Sequence, residues 1–253
     1  MTHRRRRTRA TVQSSIVTLV IAVGVWALYS SGALSSGADA SASSSTSATS
    51  TSTSATTSTA TPGPTRASSR AAAAARATLA ALPVKGKAPA TGYDREADFG
   101  TAWLDVDHNG CDTRNDVLAR DLTDIVRQGP CKVVSGDLVS PYTGGAIAFV
   151  RGNTTSTLVQ IDHVVALENA WRTGAQQLTQ AERQALANDP ENLFAVDGHS
   201  NSQKRSGDAA TWLPAAKGFR CEYVEHQVTV KAKYRLCVVP AERDAMVRVL
   251  SAC

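Results

Sequence analysis

The stretch QIDHVVAL, residues 160–167, places an acid and an imidazole inside an apolar run. A short run rich in Ile, Val and Leu predicts a buried strand. Burying an ionisable group is costly unless the group is paired or bound to a metal. Asp162 and His163 therefore either turn outward or are kept for chemistry, with the imidazole activating water and the carboxylate binding a cation. The dipeptide alone does not decide, because Asp107-His108 is a second pair of the same kind.

Other polar motifs follow this strand in a fixed order. NDPENLFAV carries Asn192, and SNSQK carries Asn201 and Lys204. Together with DREADFG, NGCDTRNDVLARDL, PYTGG, TWLP and RCEYV, these motifs resemble the HNH endonucleases. More specifically, residues 93–253 resemble the HNH-type domain of exported bacterial nucleases related to the C-terminal domain of GmrSD restriction endonucleases. The resemblance implies a ββα-metal fold built around one divalent cation.

The resemblance also implies a role for each matched residue. His163 matches the general base, Asp162 a metal ligand, and Asn192 the asparagine whose side chain braces the backbone of the metal loop. Asn201 stands where the common pattern has a histidine. Asparagine is a usable oxygen ligand for a hard cation such as Mg²⁺, and His199 is the alternative ligand.

Phosphodiester hydrolysis needs an activated water, positive charge at the phosphate and a stabilised leaving oxygen. A divalent metal held by Asp162 and Asn201, expected to be Mg²⁺ with Mn²⁺ or another ion as alternatives, would supply the charge. His163, neutral near pH 7, would take the proton from water. Three basic residues are candidates for holding the phosphate: Lys204, Arg205 and Arg114. Because adjacent strand residues face opposite sides, a bend or bulge at 162–163 is expected.

The predicted function is thus that of a metal-dependent extracellular endonuclease acting on nucleic acid, with DNA favoured and no stable protein partner. The distribution of basic residues allows nucleic-acid binding by the C-terminal half of the chain. The formal charge of +5 does not describe the predicted domain, because residues 1–76 contain eight Arg and one Asp. The remaining chain has 19 basic and 21 acidic residues, and residues 199–253 hold nine bases against five acids. A nucleic acid would have to meet that basic segment.

The beginning of the chain predicts export rather than a folded domain. Residues 2–9, THRRRRTR, lead into an apolar run from Ile16 to Leu28, which is the layout of an export signal. The run is shorter than the roughly 20 residues of a membrane span, and the segment 38–40 offers an A-x-A-like cleavage site. Residues 1–40 are therefore a signal peptide or, as the alternative, an N-terminal anchor that tethers the protein to a membrane.

The rest of the chain divides by composition. Residues 41–81 are rich in Ser, Thr and Ala and predict a disordered linker, whose last part could be marginally helical but has no evident packing face. Residues 82–253 are long enough for one substantial core. A helical stripe from Asn115 to Val126, a helix after Pro240 and a small β element around Asp162 predict an α+β domain that is mostly helical.

All five cysteines lie in this predicted domain. They form no C-x-x-C pair, which argues against a zinc ribbon, and an export signal favours disulfides. Cys111 and Cys131 flank a predicted helix and are expected to pair. Cys221 and Cys253 are expected to pair and tie down the C-terminus, which leaves Cys237 over.

Two interpretations from other classes remain open. The segment Asp105–Asp116 fits the D-x-D-x-N-G start of a calcium loop, with Asp116 where the usual ligand is Glu, so a calcium-stabilised hydrolase of another class is one. A non-catalytic, disulfide-bonded module that binds at the cell surface is the other. It is favoured by the departure at Asn201 and by the slightly acidic domain.

Overall fold

The computed structural model describes residues 66–253, in which helices surround two small antiparallel sheets. The described helices are α1 (Arg66–Ala81), α2 (Arg95–Phe99), α3 (Thr113–Asp121), α4 (Leu167–Arg172), α5 (Gln180–Ala187), α6 (Gly198–Lys204), α7 (Arg220–Lys233) and α8 (Pro240–Ser251). The described strands are β1 (Thr123–Gln128), β2 (Lys132–Val139), β3 (Ala146–Val150), β4 (Val159–His163) and β5 (Leu193–Asp197). This is the predicted α+β class, with more helix than strand. The predicted signal or anchor and most of the predicted linker lie outside the described residues.

Strand β4 pairs with β5 and lies between two parts of the core. Val159 and Ile161 pack in the cluster that contains α3 and the three-stranded sheet β1-β2-β3. On the β5 side, Val196 belongs to the cluster formed with α1, α7 and α8. Because both faces of the pair are covered, the apolar character of β4 follows from burial on two sides.

The pairing of β4 with β5 is regular up to the end of the strand. Asp162 is opposite Phe194 and His163 is opposite Leu193, so the expected bulge at this point is not present. Asp162 faces Tyr142 and Lys204 on one side, whereas His163 faces Trp103 on the other. The alternation of the strand is therefore kept, with the two side chains on opposite faces at the last two positions of β4.

The predicted helical stripe from Asn115 to Val126 is correct only in its first half. Helix α3 ends at Asp121, and Leu122 is already extended with φ −98° and ψ 148°. The following residues pair with β2 as strand β1. The reason is that Thr123, Ile125 and Val126 are β-branched and favour a pleated surface, which the nearby β2 provides.

Helix α1 corrects the predicted linker at its C-terminal end. Ala72, Ala75 and Leu79 are spaced along one face and are buried in the cluster that contains α7 and α8. Arg76 donates a hydrogen bond from Nη1 to the carbonyl of Leu250 at 2.8 Å. The alanine-rich sequence hid this face, because alanine packs closely without giving a strong apolar pattern. We therefore place the start of the folded unit at α1 rather than at residue 82.

Removing α1 is expected to destabilise the domain. A chain that begins at residue 82 exposes the surface of α7 and α8 that Leu79 and its neighbouring alanines cover, at a loss of about 2–4 kcal/mol in the free energy of unfolding. Urea unfolding of chains beginning at residues 66 and 82 measures this difference. Equal midpoints for the two chains would show that α1 contributes nothing to the fold.

Two disulfides hold the fold, in the predicted pairs. Cys111 bonds to Cys131, and Cys221 at the start of α7 bonds to Cys253 at the C-terminus. Cys237 is buried and unpaired. The second bond secures the end of the chain beside α7, which α1 also contacts. No helix in residues 66–253 has the length and apolar character needed to cross a membrane.

Candidate active site

A cleft of about 730 Å³ opens where β4 ends. Its wall contains five of the residues that the sequence singles out: Asp162, His163, Asn201, Arg114 and Arg205. They come from β4, from α6 and the residue after it, and from α3. The structure thus gathers residues that are up to 91 positions apart in the chain on one surface.

His163 has the geometry of a proton acceptor. Its Nε2 lies 2.8 Å from the carbonyl oxygen of Ala187. Because a carbonyl only accepts, Nε2 carries the hydrogen, and the neutral ring keeps a lone pair on Nδ1. Burial, together with the positive charges of Arg95 and Lys204, lowers the pKa of His163 to about 3. The ring is therefore neutral, the form that can accept a proton, although the low pKa also makes it a weak base in this state.

The carboxylate of Asp162 is held by two donors from distant segments. The hydroxyl of Tyr142, in the PYTGG motif, donates to Oδ2. The ammonium of Lys204 lies 2.9 Å from Oδ2 and 3.1 Å from Oδ1. Burial and the neighbouring carboxylate raise the pKa of Tyr142 well above its usual value, so its hydroxyl stays a donor. A carboxylate has about four lone-pair positions, and these contacts leave one of them for a cation.

Lys204 is placed differently from the predicted phosphate contact. Its side chain is fully buried, and its ammonium also donates to the backbone carbonyl of His163 at 2.7 Å. The ammonium is engaged by the carboxylate of Asp162 and by this carbonyl, and Lys204 is not part of the cleft wall. Lys204 acts as a support that joins α6 to the Asp162-His163 backbone.

Asn192 lies behind the site, fully buried just before β5. Its Oδ1 accepts from the amide of Val165 at 2.8 Å, and its Nδ2 donates to the carbonyls of Val165 and Leu186 at 3.3 Å each. Its own carbonyl accepts from the amide of Val164 at 2.8 Å. Asn192 therefore holds the backbone that follows His163, and it is not part of the cleft wall.

Asn201 is part of the cleft wall. Its Nδ2 donates to Oε1 of Gln160 at 2.8 Å, which fixes the amide, and Oδ1 has no hydrogen-bond partner among the described residues. The alternative ligand His199 is exposed, pairs with Gln203 at 3.0 Å and is not part of the cleft wall. Asn201 is thus better placed than His199 to meet a cation.

Asp162 and Asn201 are the pair of oxygen donors that could hold a metal. In the part of the chain that the structure describes, no group of three or more His, Cys, Asp or Glu side chains could hold a metal. Mg²⁺ is commonly bound by one or two protein oxygens and keeps several waters. The chemistry of this donor set therefore fits a hard divalent cation whose coordination is completed by water and substrate oxygens.

Two predicted basic residues line the cleft in different ways. Arg114 is partly buried and donates from Nη2 to the carbonyl of Val159 at 3.4 Å. Burial and the nearby charge of Arg151 lower the pKa of Arg114. Arg205 is exposed directly after α6, with φ 51°. Both guanidinium groups bring positive charge to the wall of the cleft.

Sequence reasoning missed a second wall of the cleft. Tyr93, Arg95 and Trp103 line it together with Glu168, and the charge of Arg95 acts on His163. The segment that carries the first three lies about 60 residues before β4 in the sequence, and only the DREADFG motif marked it. No local pattern predicts that this segment folds against His163.

The segment Asp105–Asp116 does not form the helix–loop–helix frame of an EF hand, because it follows an irregular stretch rather than a helix. Its carboxylates serve the loop itself: Asp105 accepts from the amides of Asn109 and Gly110, at 3.2 and 3.0 Å. Asp116 accepts from Nδ2 of Asn109 at 3.2 Å. The calcium interpretation, which rests on the spacing of these residues, stays a prediction.

Comparison with known proteins agrees with the family resemblance that the sequence motifs predict. A protein of Arthroderma benhamiae described as an uncharacterized secreted protein is 36% identical over 180 residues, which are 70% of this chain and 84% of that protein. No solved structure matches the chain significantly. The family model described as GmrSD restriction endonucleases, C-terminal domain, matches residues 112–249, which include β4, β5 and α6. The chain therefore belongs to the family of GmrSD restriction endonuclease C-terminal domains.

Proposed function

We propose that this protein is a metal-dependent HNH-type endonuclease that hydrolyses phosphodiester bonds in nucleic acid, with DNA as the favoured substrate. The observation that carries the proposal is the state of His163. Its Nε2–H is held by a backbone carbonyl, so that Nδ1 is left as an acceptor at a cleft that also holds Asp162, Asn201 and arginines. Membership of a restriction endonuclease family supports a nuclease-related function independently.

The framework of the site supports the HNH assignment. Asp162 and His163 end β4, Asn192 precedes β5, and Asn201 lies in α6, which packs against both strands. This is the strand–strand–helix order of a ββα-metal element, with α4 and α5 in the connection between the strands. We infer that β4, β5 and α6 are that element.

The favoured cofactor is Mg²⁺, with Mn²⁺ or another divalent cation as alternatives. Asp162 and Asn201 would hold it through one carboxylate and one amide oxygen. When bound, the cation supplies positive charge for the phosphate and for the oxygen that leaves.

Side chains of this chain bind the phosphodiester, accept the proton and hold the carboxylate of Asp162. Arg114 and Arg205 attract the phosphodiester through charge-assisted hydrogen bonds. Nδ1 of His163 takes a proton from the attacking water, and the carbonyl of Ala187 then stabilises the protonated ring through Nε2–H. Lys204 holds the carboxylate of Asp162 throughout, so the ligand needs no reorganisation when substrate arrives.

We propose that the protein acts outside the cytoplasm. The secreted relative, the export-like N-terminus and the two disulfides agree with an oxidising compartment. Tethering through residues 1–40 is the alternative to release.

Incubation of the full chain with plasmid DNA tests the proposal. With Mg²⁺ we expect nicked and linear products, which EDTA prevents and added Mg²⁺ restores. A parallel incubation with RNA reports the preference between the two nucleic acids. The His163→Ala variant, prepared in the same way, shows whether a contaminating nuclease is responsible. Intact DNA and RNA in both Mg²⁺ and Mn²⁺ would contradict the proposal and favour a binding module.

A further inference from the structure

One part of the cleft wall is formed by aromatic rings as well as by charged side chains. Tyr93 and Trp103 are both partly exposed there, beside Arg95. Tyr93 is supported from behind by edge and tilted contacts with Phe99 and Trp171, each at a ring-centre distance of 6.2 Å. Two aromatic rings therefore remain accessible within the same cavity as the reactive residues.

Trp103 is the ring that lies beside His163. Its ring centre is 6.1 Å from that of His163, and the two planes differ by 11°. Its backbone has φ 68°, a left-handed conformation that a bulky residue rarely adopts. The surrounding cluster of α3 and the three-stranded sheet holds it there. The ring is thus fixed in orientation beside the proposed base.

The charge of the cleft is positive where the rings lie. Arg95, Arg114 and Arg205 line it. Of its two acids, Asp162 is paired with Lys204 at 2.9 Å and Glu168 lies 3.8 Å from Arg172. The acids are therefore compensated from outside the cleft, whereas the guanidinium groups are available to an anion.

A groove that contains both aromatic rings and arginines suits an unpaired strand of nucleic acid better than a duplex. In a duplex the faces of the bases are covered by their neighbours, so a protein meets mainly phosphates and groove edges. An unpaired strand exposes base faces, which stack on aromatic side chains while cationic groups follow the backbone. Resting on the proposed nuclease function, we infer that this cleft takes an unpaired nucleic-acid strand. In this arrangement a base next to the cleaved phosphate stacks on Trp103, and the phosphates face Arg95, Arg114 and Arg205.

The test compares one labelled oligonucleotide as a single strand and annealed to its complement. Binding is measured by fluorescence anisotropy with the full chain in EDTA, and cleavage is measured with Mg²⁺. We expect the single strand to bind more tightly and to be cut faster. Trp103→Leu should weaken single-strand binding by about 5- to 100-fold and leave duplex binding nearly unchanged. Trp103→Phe keeps a stacking surface and should retain most of the affinity, and His108→Ala, outside the cleft, is the control.

Different outcomes separate the two proposals. Equal binding of strand and duplex, or equal losses on both in Trp103→Leu, would overturn the inference while cleavage in Mg²⁺ still supports a nuclease. If Trp103→Leu does not fold, strand binding that leaves the tryptophan emission of the wild type unaltered, or that alters the emission of Trp103→Phe equally, has the same effect. Selective strand binding without any cleavage would support the inference and remove the nuclease function.

Discussion

Replacing His163 by alanine is expected to lower the rate of phosphodiester cleavage by about 10²–10⁴-fold. The variant loses the Nδ1 acceptor, so the attacking water has no positioned base. The proposed metal-binding oxygens belong to other residues, and binding of Mn²⁺, measured by calorimetry, should therefore stay close to that of the wild type. The rate is followed on a labelled oligonucleotide across a metal titration, after circular dichroism has shown that the variant is folded.

The chain contains its own control for this experiment. Asp107-His108 is the same dipeptide as Asp162-His163, but His108 is exposed and is not part of the cleft wall. His108→Ala should leave the rate nearly unchanged. If His108→Ala abolished cleavage while a folded His163→Ala retained it, the active site would lie at the other pair.

Replacing Asp162 by alanine is expected to damage both stability and chemistry. The substitution leaves the ammonium of Lys204 buried without its carboxylate, which lowers the free energy of unfolding by about 3–5 kcal/mol. It also removes the proposed cation ligand, so we expect Mn²⁺ affinity and cleavage to fall together and part of the cleavage to return at high metal concentration. Urea unfolding and calorimetry measure the two effects separately.

A double variant separates the structural loss from the functional one. Asp162→Ala combined with Lys204→Met removes both charges of the buried pair, and apolar replacement of such a pair is often close to neutral for stability. We expect the double variant to recover most of the lost stability and none of the metal affinity. Recovery of normal Mn²⁺ binding in the double variant would show that Asp162 is not a ligand.

Much of the site was available from the sequence, because its chemistry lies in short motifs. Asp162 and His163 stand in an apolar strand that local composition predicts, and the order of Asn192 and Asn201 after it supplied the family resemblance. The two disulfide pairs and the helix after Pro240 were also correctly predicted. The motifs and the helix depend on residue type at close spacing, which a sequence shows directly, whereas the disulfides join cysteines 20 and 32 residues apart.

What the sequence could not show depends on contacts between distant segments. Lys204 looks like a surface cation until α6 packs on β4 and buries its ammonium against Asp162. Residues 66–81 read as part of a linker, since their small side chains form a packing face only when α7 and α8 are present to receive it.

The tertiary structure also decided which residues surround His163. Arg95 and Trp103 reach His163 from a segment about 60 residues earlier, and no local pattern specifies that contact. The sequence by itself determined which groups can do chemistry, because reactivity belongs to the side chains. Packing alone decided which of them are buried, paired or open to a substrate, because burial and charge pairing are properties of the folded chain.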